Sequence, residues 1–298
     1  DPVAADLLPK LGHKFDEPLT DSSLIPPYLV SRLVRQHCTV ALGGDGGDEL
    51  FGGYGNYSRL LRMQQRSGRV PHPLRQLVAA GAERAMPVGV RGRGWLQGLD
   101  ADLDRGLPLA RHYFDETTRR RLLPGRGSLP LIGEALQRQR IPEAADIVQR
   151  ATRMDFGDYL PEDVLVKVDR ASMLNSIEMR APLLDHRIIE FAFGRVPSAL
   201  KATLTDKKIL LKRLASRHLP PAFDKHRKQG FSIPMAEWLR AGPFRELFHD
   251  VLLDSTASFD RRTVQGLLDG QDRGRSNGER LFGLLMFELW RRDYGTTL

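Results

Sequence analysis

The chain has 298 residues, 41% of them hydrophobic, enough for a sizeable core in one large domain or two small ones; its most apolar run, residues 281–290, carries Glu288 and is about half a membrane span, so it reads as a buried helix. The net charge of +8 resides between Arg59 and Arg126, where fourteen arginines and no lysine face six acids. That stretch lacks a stacking platform of aromatics, which argues for a solvated arginine-rich helical surface and against a nucleic-acid partner, while the single cysteine, Cys38, excludes an internal disulfide and suits a reducing cytoplasm.

In chain order, the opening DPVAADLLPKL begins without methionine and lacks the basic-then-apolar pattern of a signal peptide, as expected of a piece of a longer protein. Residues 22–35 predict a helix, with Ser22 or Ser23 as cap, Pro26 and Pro27 in the first turn, and Leu29, Val30, Leu33 and Val34 as its apolar face. A short strand, Val40, Ala41 and Leu42, follows, and Cys38 beside it is expected to be buried. After Tyr57 strand signals fade. Helices are expected around Leu60–Met63 and Leu74–Ala79, then a Gly/Pro-rich connection over 87–98, then helices at 131–139, 142–156, 161–171, 188–193, 207–218, 235–239, 244–252, 262–268 and 279–292. Trp238 and Trp290 are assigned to the core.

The strand runs into Gly43, Gly44, Asp45, Gly46, Gly47, Asp48 and Glu49. Glycines let the backbone take positive φ and bring its N–H groups against a ligand. Carboxylates there would repel a bare phosphate, so the loop reads either as a tight turn with solvated acids or as a nucleotide loop in which a hard cation such as Mg²⁺ lies between carboxylate and phosphate. A helix feeding a strand that ends in such a loop is the order of a parallel α/β sheet. The expected organisation is the end of a parallel α/β portion over 1–57 and a mainly helical portion over 58–298. No cluster of His and Cys has zinc-ligand spacing.

Three segments carry a resemblance: GGDGGDELFGGY (43–54), YLPEDVLVKVDRASMLNSIEMRAPLLDH (159–186) and KKILLKRLASRHLPPAFDKHRKQGFSIP (207–234). In this order and spacing they resemble the synthetase domain of glutamine-dependent asparagine synthetases, and residues 15–33 extend the likeness over nearly the whole chain. The resemblance implies an adenine-nucleotide alpha hydrolase-like (ATP pyrophosphatase) fold, truncated here. It also implies an ATP- and Mg²⁺-dependent ligase that converts aspartate to asparagine through β-aspartyl-AMP, with ammonia from glutamine released in a separate N-terminal glutaminase domain. By the same resemblance Gly43 and Gly44 touch the nucleotide and Asp48 helps bind magnesium-pyrophosphate. Asp45 occupies a position, often Glu, linked to acyl-adenylate formation, and Lys228 in RKQGF stabilises charge on the phosphates and the tetrahedral intermediate. Glu178 and Arg180 serve either the substrate cleft or helix packing.

The family's Ser-Gly-Gly-x-Asp-Ser phosphate loop and glutaminase cysteine do not occur in these residues, so the chain alone is expected to be inactive. A cytoplasmic enzyme is expected, with small-molecule substrates, no nucleic-acid or membrane partner, and a homodimer compatible with the sequence. The alternatives are a related amidotransferase or β-lactam synthetase-like ligase acting on another carboxylate, or a non-catalytic basic helical module.

Overall fold

A computed structural model describes residues 2–104, 106–108, 113–125, 132–143, 146–220, 222 and 232–296. The first element, α1 (Pro2–Gly12), was not foreseen, although Leu7, Leu8 and Leu11 have helical spacing and all are buried. Asp21, rather than either serine, caps the next segment: its Oδ1 accepts the Ser23 N–H at 2.8 Å and starts a 3₁₀ turn that continues into α2 (Ile25–Val34), with prolines in its first turn as expected.

The strand β1 (Val40–Leu42) leads through the glycine loop to α3 (Gly47–Phe51), α4 (Gly55–Ser67) and α5 (His72–Ala85). The expected irregular connection over 87–98 contains α6 (Arg93–Gln97), anchored because Arg93 is buried against Asp115 and donates to the Met86 carbonyl at 2.9 Å. Then come α7 (Glu116–Leu122), α8 (Ile132–Gln139) and α9 (Ile147–Met154). Two helices expected at 142–156 and 161–171 form one rod: α9 continues as an 11-residue π-helix, Asp155–Leu165, and then as α10 (Val166–Met173). Pro161 lies inside the π segment, where the wider register accommodates a residue with no N–H to give.

β2 (Glu178–Arg180), α11 (His186–Gly194), α12 (Ile209–His218), α13 (Met235–Trp238), α14 (Pro243–Leu252), α15 (Arg261–Asp272) and α16 (Gly278–Asp293) complete the chain.

The largest core joins α1, α14, α15 and α16. Residues 281–290 contribute Leu281, Phe282 and Leu285 to it, and the fully buried Glu288 is satisfied by the Ser258 N–H at 2.7 Å and Arg291 Nε at 2.9 Å. Trp238 packs on this core edge-to-face with Phe244, and Trp290 donates its indole N–H to the Asp16 carbonyl at 3.2 Å. A second cluster joins α4 to α9, and a third packs Leu50 and Phe51 of α3 on Ala192 and Val196. That third cluster fixes the glycine loop.

Among the described residues the only sheet is a parallel pair, β1 with β2, in register Val40↔Glu178, Ala41↔Met179 and Leu42↔Arg180. The burial expected of Cys38 fails there, and the apolar strand and helix beside it are open as well. Leu42 is 73% exposed, Cys38 is exposed, and the α2 residues Leu29, Val30 and Leu33 face outward. Parallel strands are normally covered by helices on both faces, and the described residues supply too little cover to close over this pair. Among the described residues no helix is long and apolar enough to cross a membrane.

Candidate active site

The loop leaves the sheet at the carboxyl end of β1, where the Gly43 N–H donates to the Arg180 carbonyl at 2.8 Å. The Asp45 carboxylate folds back over Gly43, since a Cβ on Gly43 would lie 2.8 Å from Asp45 Oδ2. A Cβ on Gly44 would meet nothing within 4 Å, and this exposed residue offers its backbone to whatever occupies the mouth of the loop. Gly46 starts α3 with φ +83° and presses on Leu184, whose Cγ would be 2.9 Å from an added Cβ, so both backbone and packing require glycine. Gly43, Gly44, Asp45 and Asp48 thus share one strand–helix bend. Lys228 lies outside the described residues.

Asp48 meets a residue that the sequence reading passed over. Lys208 Nζ is 2.8 Å from Asp48 Oδ1, with the two side chains 34% and 25% exposed. Lys208 precedes α12 with φ +51°, an uncommon conformation for a non-glycine residue. A tight turn holds it there. Ala202 bridges Lys207, the Thr203 N–H donates to the Asp206 carbonyl at 2.8 Å, and Asp206 Oδ1 accepts the Lys207 N–H at 2.8 Å and the Lys212 ammonium at 2.5 Å. Ser58 Oγ donates to the Thr203 carbonyl at 2.6 Å and ties the turn to α4. Gly53 makes room for the ion pair: a Cβ there would lie 2.7 Å from Asp48 Cγ and clash with Asp48 Oδ1 and Lys208 Cε. Only nine lysines stand against 36 arginines in this chain, a scarcity that could have singled out Lys208 in the sequence.

Behind the loop is a buried polar seam. Glu49, 1% exposed, accepts the Tyr54 hydroxyl, and the Tyr57 hydroxyl donates to Asp155 Oδ2 at 2.7 Å. Burial raises the pKa of Glu49 and, with the neighbouring carboxylates, raises both tyrosines, which stay protonated donors. Lys167 is shared between Asp21 and Asp163, the latter at 2.9 Å. Burial opposes ionisation of all three, but the lysine contact keeps Asp21 below its usual pKa, whereas burial together with the Asp21 charge pushes Asp163 up to about 6. Asp45 is also raised, chiefly by burial, with Lys167 pulling the other way and Asp48 adding to the rise.

The residues of the second motif divide by role. Arg180 Nε pairs with Glu178 at 2.9 Å on the exposed β2, and Asp185 caps α11 by accepting the Arg187 N–H at 2.9 Å. Among the described residues no three His, Cys, Asp or Glu side chains gather as a metal cage. Asp48 offers a single carboxylate, which fits an ion such as Mg²⁺ whose remaining ligands are phosphate oxygens and water.

A family model described as asparagine synthase matches residues 2–292. The chain is 33% identical over 295 residues to a putative glutamine-hydrolysing asparagine synthetase of Mycobacterium tuberculosis (strain ATCC 25618 / H37Rv), covering 95% of this chain and 44% of that protein. It is 30% identical over 289 residues to glutamine-hydrolysing asparagine synthetase 1 of Bacillus subtilis (strain 168), covering 95% and 45%. With putative glutamine-hydrolysing asparagine synthetase 2 of Methanocaldococcus jannaschii it shares 47% identity over 58 residues, 20% of this chain and 11% of that one. The chain therefore spans under half the length of the first two relatives. No solved structure matches it significantly. A family match that runs from residue 2 to residue 292 assigns this chain to the asparagine synthase family.

Proposed function

We propose that the chain carries the adenylating and amide-forming portion of a glutamine-hydrolysing asparagine synthetase, on an adenine-nucleotide alpha hydrolase-like fold in a cytoplasmic enzyme. In this reading ATP and aspartate give β-aspartyl-AMP and pyrophosphate, and ammonia from a glutaminase domain of the longer protein displaces AMP. Oxide is a poor leaving group from a carboxylate and AMP a good one, so the protein's task is to align reactants and to neutralise phosphate charge. The Gly43 and Gly44 backbone lines the nucleotide. Asp48 would hold a magnesium ion, which would supply positive charge against the phosphates; Asp45 faces the carboxylate being adenylylated, and Lys228 neutralises charge as pyrophosphate leaves. Lys208 adds a second cation beside Asp48.

One observation carries most weight in support: at the carboxyl end of a parallel strand, accessible glycine backbone, two carboxylates and a lysine 2.8 Å from one of them converge on one loop. The test is aspartate-dependent exchange of labelled pyrophosphate into ATP by the complete enzyme. Aspartate should support exchange, and exchange with another acid but none with aspartate would replace it as substrate.

A further inference from the structure

We infer that Lys208 is a built-in counter-cation that reserves Asp48 for a divalent ion arriving with phosphate, so that the site accepts a metal–polyphosphate complex and resists the bare metal ion. The inference rests on the proposed reading of Asp48 as the carboxylate that meets the metal, and adds an order of binding to it.

Three features of the geometry carry it. First, the ammonium already sits 2.8 Å from Asp48 Oδ1, so a bare ion that reached this carboxylate would meet a positive charge already in place. Second, Lys208 is aimed there by its backbone: a left-handed residue at the end of a turn that is pinned through Asp206 and Ser58 cannot drift far when its side chain is displaced. Third, the surroundings leave the ammonium room to move, since the Lys208 side chain is only partly buried. Gly53 has no side chain to block the pair, and an added Cβ on Gly47 would still lie 3.9 Å from Lys208 Nζ.

A bare divalent ion that took Asp48 would strand a partly buried ammonium beside it, replacing one attraction by a repulsion at short range. A metal already bound to phosphate brings anionic oxygens with it. The ammonium can then exchange its carboxylate for a phosphate oxygen while Asp48 exchanges an ammonium for the metal, and every charge keeps a partner. No covalent step is involved.

Binding of manganese to the purified full chain tests this, with the free ion followed by the paramagnetic resonance of unbound Mn²⁺ and preformed manganese–pyrophosphate followed by calorimetry. In Lys208→Met the free ion should bind at least about fivefold more tightly than in the wild type, and manganese–pyrophosphate at least about fivefold more weakly. Lys208→Gly, which suits the positive φ and so guards against misfolding of the methionine variant, should behave alike. Lys207→Met removes the same charge one residue away and should remain within about twofold of wild type in both titrations. An unchanged free-ion affinity in both Lys208 variants overturns the inference, as does an equal gain in Lys207→Met, which would make the effect one of net charge. If the wild type binds manganese–pyrophosphate and Asp48→Asn loses it while the Lys208 variants leave free-ion binding unchanged, only the inference fails. If Asp48→Asn alters neither titration, the metal role of Asp48 fails with it.

Discussion

Gly53 is a clean probe of the loop because its φ is not positive, so alanine there meets no backbone penalty and only a steric one. The added methyl would drive Asp48 and Lys208 apart. Gly53→Ala in the complete enzyme should therefore lower pyrophosphate exchange by at least about tenfold while its melting temperature stays within a few degrees of wild type; full activity would show that the ion pair has no part in binding. Tyr54→Phe should act in the opposite sense, on stability more than on the loop. It leaves the Glu49 carboxyl buried without its hydroxyl donor, a loss of about 1–3 kcal/mol by denaturant unfolding. An unaltered unfolding midpoint would mean that water replaces the hydroxyl. At this scale the sequence disclosed the glycines and acids, which lie within seven consecutive positions, but not Lys208. Its partner is 160 positions away and no local pattern joins them.

The rod from α9 to α10 shows what sets the elements apart from their sequence signals. Pro161 reads locally as a helix start, yet it lies mid-helix, because residues on either side are fixed from outside: Tyr57 bonds Asp155, and Lys167 bonds both Asp163 and Asp21. Helices with a strong apolar repeat, such as α14 and α16, were legible to within a residue or two. The π register was not, since it answers to these tertiary bonds. The same rod gives a pH dependence. Asp163 titrates near 6 in the fold against 3.8 for the ordinary carboxyl, so the folded state holds its proton more tightly than the unfolded chain. The stability that this contributes is complete below the unfolded pKa and is lost as pH rises through about 6. Asp163→Asn, which keeps a neutral group at every pH, should gain melting temperature relative to wild type between pH 4 and 6.5. A variant that instead falls behind over that interval would identify ionised Asp163 as a principal partner of Lys167.

Across the whole molecule, stability and site are spatially separate. The main core gathers α1, α14, α15 and α16, whereas the glycine loop hangs from a two-stranded sheet and a small cluster around Leu50 and Phe51. Hydrophobic strands of parallel sheets are normally covered on both faces; what no sequence pattern could report is how many neighbours the described chain supplies to Val40–Leu42. Two strands of three residues each, one bearing a leucine 73% exposed, have few long-range contacts to resist opening. Hydrogen exchange should therefore be uneven. Amides of β1 and β2 are expected to exchange orders of magnitude faster than those of α16, whose Leu281, Phe282 and Leu285 are fully buried and open only with the global fold. Leu285→Ala should cost about 2–5 kcal/mol and speed exchange throughout the chain, because it hollows the largest core of the molecule. Equal protection of residues 40–42 and 278–293 in the wild type would contradict this division, since it would require the sheet to draw its stability from contacts that the exposed faces of β1 and α2 do not make.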